Sequence, residues 1–268
     1  MGVSVGLQLG CLAIVLLYLG LRLRNEPARA AFLGRFALLM VASWLAEDTA
    51  IRAYGFYAYD PGWFGFIDQV PILIIAIWPV VIHSALDLVA HGAPSNARPW
   101  PIALLGAAIV LSDAALIEPI AVRAGLWHWT EPGLFAVPPI GILGWAMFTA
   151  LAMVVLRSRL HALWLVLIAP LGVHVLLLAT WYGLFRHVNG TVAPIAAIIV
   201  GAVIAIVVIA HVLRTTPKPA AIVMLRAPGA LFFFVLLIVH ALDDAYLTTY
   251  AALFAVTWLV VVARSLRA

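Results

Sequence analysis

Acidic side chains interrupt the apolar runs of this sequence where a solvated loop does not account for them. Glu47 and Asp48 end the second apolar run, Asp113 and Glu118 lie in the fourth, and Asp244 splits the last. Charged groups inside a membrane-length run are costly unless they face a cavity or a partner. Burial favours the neutral form of a carboxyl group, which can then serve as an acid near neutral pH. We therefore predict that these five acids donate protons or activate water.

Aromatic residues follow these acids at regular places in the chain. Two tyrosines and four tryptophans are candidates for the wall of a substrate channel: Tyr57, Tyr59, Trp78, Trp127, Trp129 and Trp145. Protonation of a trisubstituted double bond gives a tertiary carbocation. Aromatic faces attract a cation by roughly 0.5–2 kcal/mol each. The combination predicts acid chemistry on an alkene in a hydrophobic channel.

The acids and aromatics belong to an internal repeat. Aligning Gly55 with Gly125 matches GFYAY and PGWF in the first copy with GLWHW and PGLF in the second. The same alignment sets Asp48 against Glu118. Each copy predicts a helix, a short aromatic loop and a returning helix, at about residues 30–90 and 102–157. Two hairpins of equal orientation predict a pseudo-symmetric bundle in which the acids face each other.

The amino-acid composition indicates which secondary-structure elements position the acidic and aromatic side chains. Of 268 residues, 66% are hydrophobic and 10% are charged, whereas a soluble domain is about half apolar and a quarter charged. The apolar runs are too long for strands, so we predict an all-α, polytopic transmembrane helix bundle of eight or nine helices, forming one integral membrane domain over residues 1–268. The predicted helices are Val3–Leu21, Ala30–Ile51, Val70–Val89, Ile102–Ile120, Pro138–Leu156, Leu163–Leu184, Thr191–Leu213 and a tail, Gly229–Ala263. A single tail helix would exceed about 50 Å, so two spans broken at Asp243-Asp244 are favoured over one.

The basic residues indicate how the helices are oriented. With nine spans, all but Arg52, Arg123 and Arg186 of the fifteen Lys and Arg residues fall on one side of the membrane, Arg226 among them. The positive-inside rule makes that side cytoplasmic. We predict a multi-pass protein of the cell membrane with its N-terminus outside and its C-terminus in the cytoplasm.

The two aromatic hairpins resemble the CruF-like carotenoid biosynthesis membrane family. The residues that carry the resemblance are YGFYAY from Tyr54, GLWHW from Gly125 and the pair Gly144-Trp145, within about Trp44 to Leu151. The resemblance implies a multi-pass helical enzyme that adds water to a terminal carotenoid double bond without a dissociable cofactor. This chain departs from the family pattern at Gly141, where an asparagine is expected. It also departs in the spacing from Asp113 to Glu118-Pro119, and at Gln69, where a glycine-rich approach to the proline is expected.

Two alternatives to a hydratase remain open. A membrane terpene or lycopene cyclase uses the same carboxylic acid protonation, and a lipid-binding protein or transporter needs no reaction. The expected partners are a lipophilic carotenoid or polyprenyl substrate and membrane lipid. The sequence shows no motif for nucleic acid, no cofactor and no metal site, because its histidines lack the paired spacing of a metal centre. The oligomeric state is left open.

Overall fold

The computed structural model describes residues 3–94, 97–188 and 190–267 as a bundle of membrane-length helices. The first helices are α1 (Val5–Arg24), α2 (Arg29–Tyr54), α3 (Ile72–Ala90), α4 (Pro99–Arg123), α5 (Pro139–Arg157) and α6 (Leu165–Thr180). A 3₁₀ turn precedes α6, and a π-helical turn followed by α7 (Arg186–Val188) extends it. The remaining helices are α8 (Pro194–Arg214), α9 (Ala220–Met224), α10 (Ala227–His240) and α11 (Ala245–Leu266).

The predicted all-α polytopic fold is confirmed. Within the described residues, eight helical segments are long and apolar enough to cross a membrane, and α10 is a shorter apolar helix. The tail breaks at Asp243-Asp244, as predicted, and the Asp244 side chain accepts a hydrogen bond from the Leu247 N–H at the start of α11. Fourteen residues of α10 span only about 21 Å, less than a bilayer core of about 30 Å.

Two aromatic loops lie at one end of the bundle, which we call the strand end. The first loop carries β1 (Tyr57–Tyr59), β2 (Phe66–Ile67) and β3 (Val70–Pro71), and the second carries β4 (Trp127–Trp129). Strands β1 and β4 pair antiparallel, with Tyr57 opposite Trp129 and Tyr59 opposite Trp127. The pairing ties the two loops into a small sheet across this end of the bundle.

Glycines set the point at which the chain leaves each helix for its strand. Gly55 after α2 and Gly125 after α4 both have positive φ, +62° and +74°, a conformation that glycine adopts without steric cost. The chain then returns through a tight hairpin before Pro71 or Pro138, the residues that precede α3 and α5. The two helix–loop–helix units are therefore built alike.

Candidate active site

Glu47, on α2 in the first unit, accepts three hydrogen bonds from aromatic side chains. The Tyr57 hydroxyl donates to Oε2, the Tyr59 hydroxyl donates to the same oxygen at 2.6 Å, and Trp78 Nε1 donates to Oε1 at 2.9 Å. We call these three donors the Glu47 cage. Burial, reinforced by the neighbouring carboxylate, raises the pKa of both tyrosines well above the ordinary value. Both hydroxyls therefore keep their protons.

Glu118, on α4 in the second unit, accepts three hydrogen bonds from tryptophans. Trp127 and Trp129 donate their indole N–H groups to Oε2 at 2.8 and 2.9 Å, and Trp145 donates to Oε1 at 2.8 Å. These three residues form the Glu118 cage. The Glu118 side chain is almost fully buried. A buried carboxyl group with this many donors is satisfied, which offsets much of its desolvation cost.

The two cages contact each other ring by ring. The ring centroids lie 4.7 Å apart for Tyr57 and Trp129, 5.9 Å apart for Tyr59 and Trp127, and 4.8 Å apart for Trp78 and Trp145. Each donor in one cage therefore packs against the other cage, and the two carboxyl groups open into the same cavity.

The cages differ in what their donors can do. A tyrosine hydroxyl both donates and accepts a hydrogen bond, whereas an indole N–H only donates. The Glu47 cage can therefore satisfy Glu47 whether the carboxyl group is protonated or ionised. The Glu118 cage, made only of donors, favours the carboxylate.

The cavity between the cages has a volume of about 190 Å³ and an almost wholly apolar wall. Its lining includes Trp63, Phe148, Phe232 and Phe233 besides the six cage residues. The volume is below the roughly 300–1,000 Å³ of pockets that bury a drug-sized molecule. The cavity therefore suits one end of a long hydrocarbon.

A second polar group lies deeper in the cavity, toward the end opposite the strands. Arg226 pairs with Asp113 and donates from Nη1 to the Ser84 hydroxyl at 2.9 Å. The Arg226 side chain is only 7% exposed. Ser84, Asp113 and Arg226, which we call the inner cluster, all line the cavity.

The structure brings together three of the five acids singled out by sequence. Glu47, Asp113 and Glu118 line the cavity, as do all six predicted aromatic residues. Asp48 does not line it: this residue pairs with Arg52 and accepts from the Gln69 N–H at 3.0 Å. Asp244 caps α11 and also lies outside the cavity.

The repeat alignment was wrong by one residue at its acid. The contacts make Glu47, not Asp48, the counterpart of Glu118. The helix ends also differ in their backbone hydrogen bonds: the Gly55 N–H bonds to Ile51 O, whereas the Gly125 N–H bonds to Val122 O and the Leu126 N–H to Ala121 O.

Sequence reasoning missed Ser84 and Arg226. Arg226 was assigned to a cytoplasmic loop by the positive-inside count, yet its side chain reaches the middle of α4. One signal was present: Arg226 stands between two apolar stretches, Ala220 to Leu225 and Gly229 to His240, so it need not lie in a solvated loop.

Gly141 departs from the expected family pattern and has a structural reason to be glycine. A Cβ atom at this position would lie 2.6 Å from the Trp129 ring atoms Cη2 and Cζ2. No real side chain tolerates such a contact without movement of the ring. The absence of a side chain at Gly141 therefore lets Trp129 reach Glu118.

The fold and site define a polytopic α-helical membrane protein with two caged carboxyl groups in an apolar cavity. The carotenoid biosynthesis protein family matches residues 3–212 of this chain, and the chain belongs to that family. Both carboxyl groups and both cages lie inside the matched region, whereas Arg226 lies beyond it. Neither the curated proteins nor the solved structures that were compared provide a match. Membership supports a role in carotenoid biosynthesis and, with it, an enzymatic role; it does not select the reaction.

Proposed function

We propose that this protein adds water to the terminal carbon–carbon double bond of an acyclic carotenoid or similar polyprenyl chain. The observation that carries the proposal is the pair of buried carboxyl groups with unlike cages in one aromatic cavity. The Glu47 cage can satisfy a protonated carboxyl group, whereas the Glu118 cage favours a negatively charged carboxylate. Acid catalysis through a carbocation needs both kinds of group.

In this proposal Glu47 is the acid. Its proton passes to the less substituted carbon of the double bond, a C–H bond forms, and the positive charge moves to the tertiary carbon. Tyr57 and Tyr59 can reorient their hydroxyls as Glu47 changes from acid to carboxylate, because a hydroxyl both donates and accepts. Positioned general acids contribute typically 10²–10⁴-fold to a rate.

Glu118 stabilises the cation in this proposal. A carboxylate about 4 Å from a positive charge contributes roughly 4 kcal/mol at the effective dielectric constant of a protein site. The ring faces of Trp127, Trp129 and Trp145 add attraction without forming a covalent bond. Hydration is favoured over cyclisation because the cavity also contains the polar inner cluster, where water can be bound.

The test is expression in bacteria that accumulate lycopene. The pigments are separated by chromatography, and their molecular masses are determined by mass spectrometry. We expect a product heavier by one or two waters. Glu47→Gln and Glu118→Gln should each lower its yield by about 10²-fold or more. Asp48→Asn, next to Glu47 but outside the cavity, is the matched control and should retain activity.

A coloured product that is an isomer of lycopene, with unchanged mass, would indicate that the protein cyclises lycopene and does not hydrate it. Full activity of both glutamine variants would refute the catalytic assignment of the carboxyl groups. Unchanged lycopene with the wild-type protein present in the membrane would refute this substrate and direct the search to shorter prenyl chains.

A further inference from the structure

The chain segment that carries Arg226 enters the bundle to about the middle of α4. Asp113 is fifteenth of the twenty-five residues of α4, and Arg226 contacts it immediately before α10 begins. At its other end, α10 is followed by Asp243, which pairs at 2.7 Å with Arg123, the last residue of α4. Thus α10 is a half-helix that runs from mid-depth to the strand end.

Such a break in a membrane helix is tolerated where the backbone is buried in protein or lines a cavity. Here Arg226, Gly229 and Ala230 line the cavity at the break. The segment therefore adds hydrogen-bonding groups to a wall that is mostly apolar.

We propose that the inner cluster holds the water molecule that adds to the substrate cation; this inference rests on the proposed function. Arg226 has five N–H donors, and its contacts with Ser84 and Asp113 among the described residues use two of them. Arg226 contacts Oδ2 of Asp113, so Oδ1 can accept a hydrogen bond from water. A donor and an acceptor thus lie side by side in the cavity wall.

Glu118 is less suited to this task. Three indole N–H groups already occupy its two oxygens, and a carboxylate has about four lone-pair sites. Asp113 is five residues before Glu118 on α4, about 7–8 Å along the helix axis. A cation held against Glu118 can therefore face a water held at the inner cluster.

The step balances with water as the only co-reactant. The water oxygen forms a C–O bond with the tertiary carbon, and the resulting oxonium loses a proton to Asp113. An alkyl oxonium is a strong acid, so transfer of its proton to a carboxylate is downhill. The proton given up by Glu47 is balanced by the one released from the water, and the product is a tertiary alcohol.

Deuterium separates the protonation step from the water step. In D2O, Glu47 delivers a deuteron to the less substituted carbon, and loss of the original proton from that same carbon to the Glu47 carboxylate restores the double bond. Lycopene recovered from the reaction then carries deuterium even where no water has added. The ratio of hydrated product to deuterated lycopene reports on the water step alone and does not depend on the amount of folded protein.

The test uses membranes that contain the full-length protein, lycopene and D2O buffer. Asp113→Leu combined with Arg226→Met removes the ion pair of the inner cluster without leaving an unpaired buried charge, and such replacements of buried ion pairs are often neutral for stability. We expect deuterated lycopene to persist and the ratio to fall by about a hundredfold. Ser84→Ala keeps the ion pair and should lower the ratio by up to about tenfold.

An unchanged ratio in the double variant would overturn the proposal. Loss of both deuteration and hydration would also overturn it, because the inner cluster would then belong to the protonation step. Wild-type protein that neither deuterates nor hydrates lycopene would instead refute the proposed function itself, and the water site with it. Glu47→Gln, which should lose both signals, serves as the control for the acid step.

Discussion

Replacing the Glu118 carboxylate by an amide should affect the hydrogen bonds of its three tryptophan donors unequally. In Glu118→Gln, the amide oxygen should take the place of Oε2, because it can accept from both Trp127 and Trp129. The amide NH2 then faces Trp145 Nε1, which lies 2.8 Å from Oε1 in the wild type. Two hydrogen-bond donors, the amide NH2 and the indole N–H, then face each other without an acceptor between them.

The free energies follow from this geometry. In the wild type, Trp145→Phe removes a hydrogen bond to a charged group, worth about 1.5–3 kcal/mol. In Glu118→Gln, the same substitution removes a buried unsatisfied donor whose cost is about 1–3 kcal/mol. The two effects have opposite sign, so we expect a coupling free energy of about 2.5–6 kcal/mol between the residues at positions 118 and 145.

Trp129→Phe supplies the matched control. The amide oxygen can still accept from Trp129, so this pair loses only the difference between a charged and a neutral hydrogen bond. Neutral hydrogen bonds inside membrane proteins average about 0.6 kcal/mol. We expect a smaller coupling here, about 1–2.4 kcal/mol.

The assay is a double-mutant cycle on purified protein in mixed micelles, with unfolding followed by circular dichroism during a titration with sodium dodecyl sulfate. Hydration activity is measured on the same variants. Glu118→Gln combined with Trp145→Phe should regain stability and remain inactive. Couplings that agree within about 0.5 kcal/mol for Trp145 and Trp129 would refute the assigned pattern of donors.

Two further predictions concern positions around the site. Gly141→Ala should destabilise the protein by about 1–3 kcal/mol and lower hydration activity, because its Cβ would displace the Trp129 ring. Gly144→Ala on the same helix is the control, since its Cβ would lie 3.7 Å from Leu177. Unfolding in micelles and product yield are measured for both variants. Asp48→Asn and Asp244→Asn should retain hydration activity per folded protein, since both side chains lie outside the cavity. Loss of activity in the membrane assay at normal protein levels would show that these acids take part in the reaction.

Much of the architecture follows from the sequence because it depends on local patterns. Runs of about twenty apolar residues must form helices in a bilayer, since lipid offers no hydrogen-bond partner to the backbone. The break at Asp243-Asp244 followed from the length of a helix against the thickness of the membrane. The candidate residues of both cages followed from the repeat around Gly55 and Gly125.

The tertiary structure alone decided which atoms meet. Glu47 and Asp48 are neighbours in the sequence, but they point about 100° apart on a helix, and only Glu47 faces the cavity. The alignment could not choose between them, because both are acids, and the contacts that distinguish them involve Tyr57, Tyr59 and Trp78 in the loop and helix that follow.

Arg226 illustrates the same division over a longer range. Its sequence neighbourhood fits a cytoplasmic loop, and the charge count favoured that position. Asp113 and Ser84, more than a hundred residues away, provide the partners that make its burial tolerable, and a buried charge is stable only when partners are present. The sequence by itself determined the helices and the types of residue available for chemistry. Packing between distant helices decided which of those residues form the site.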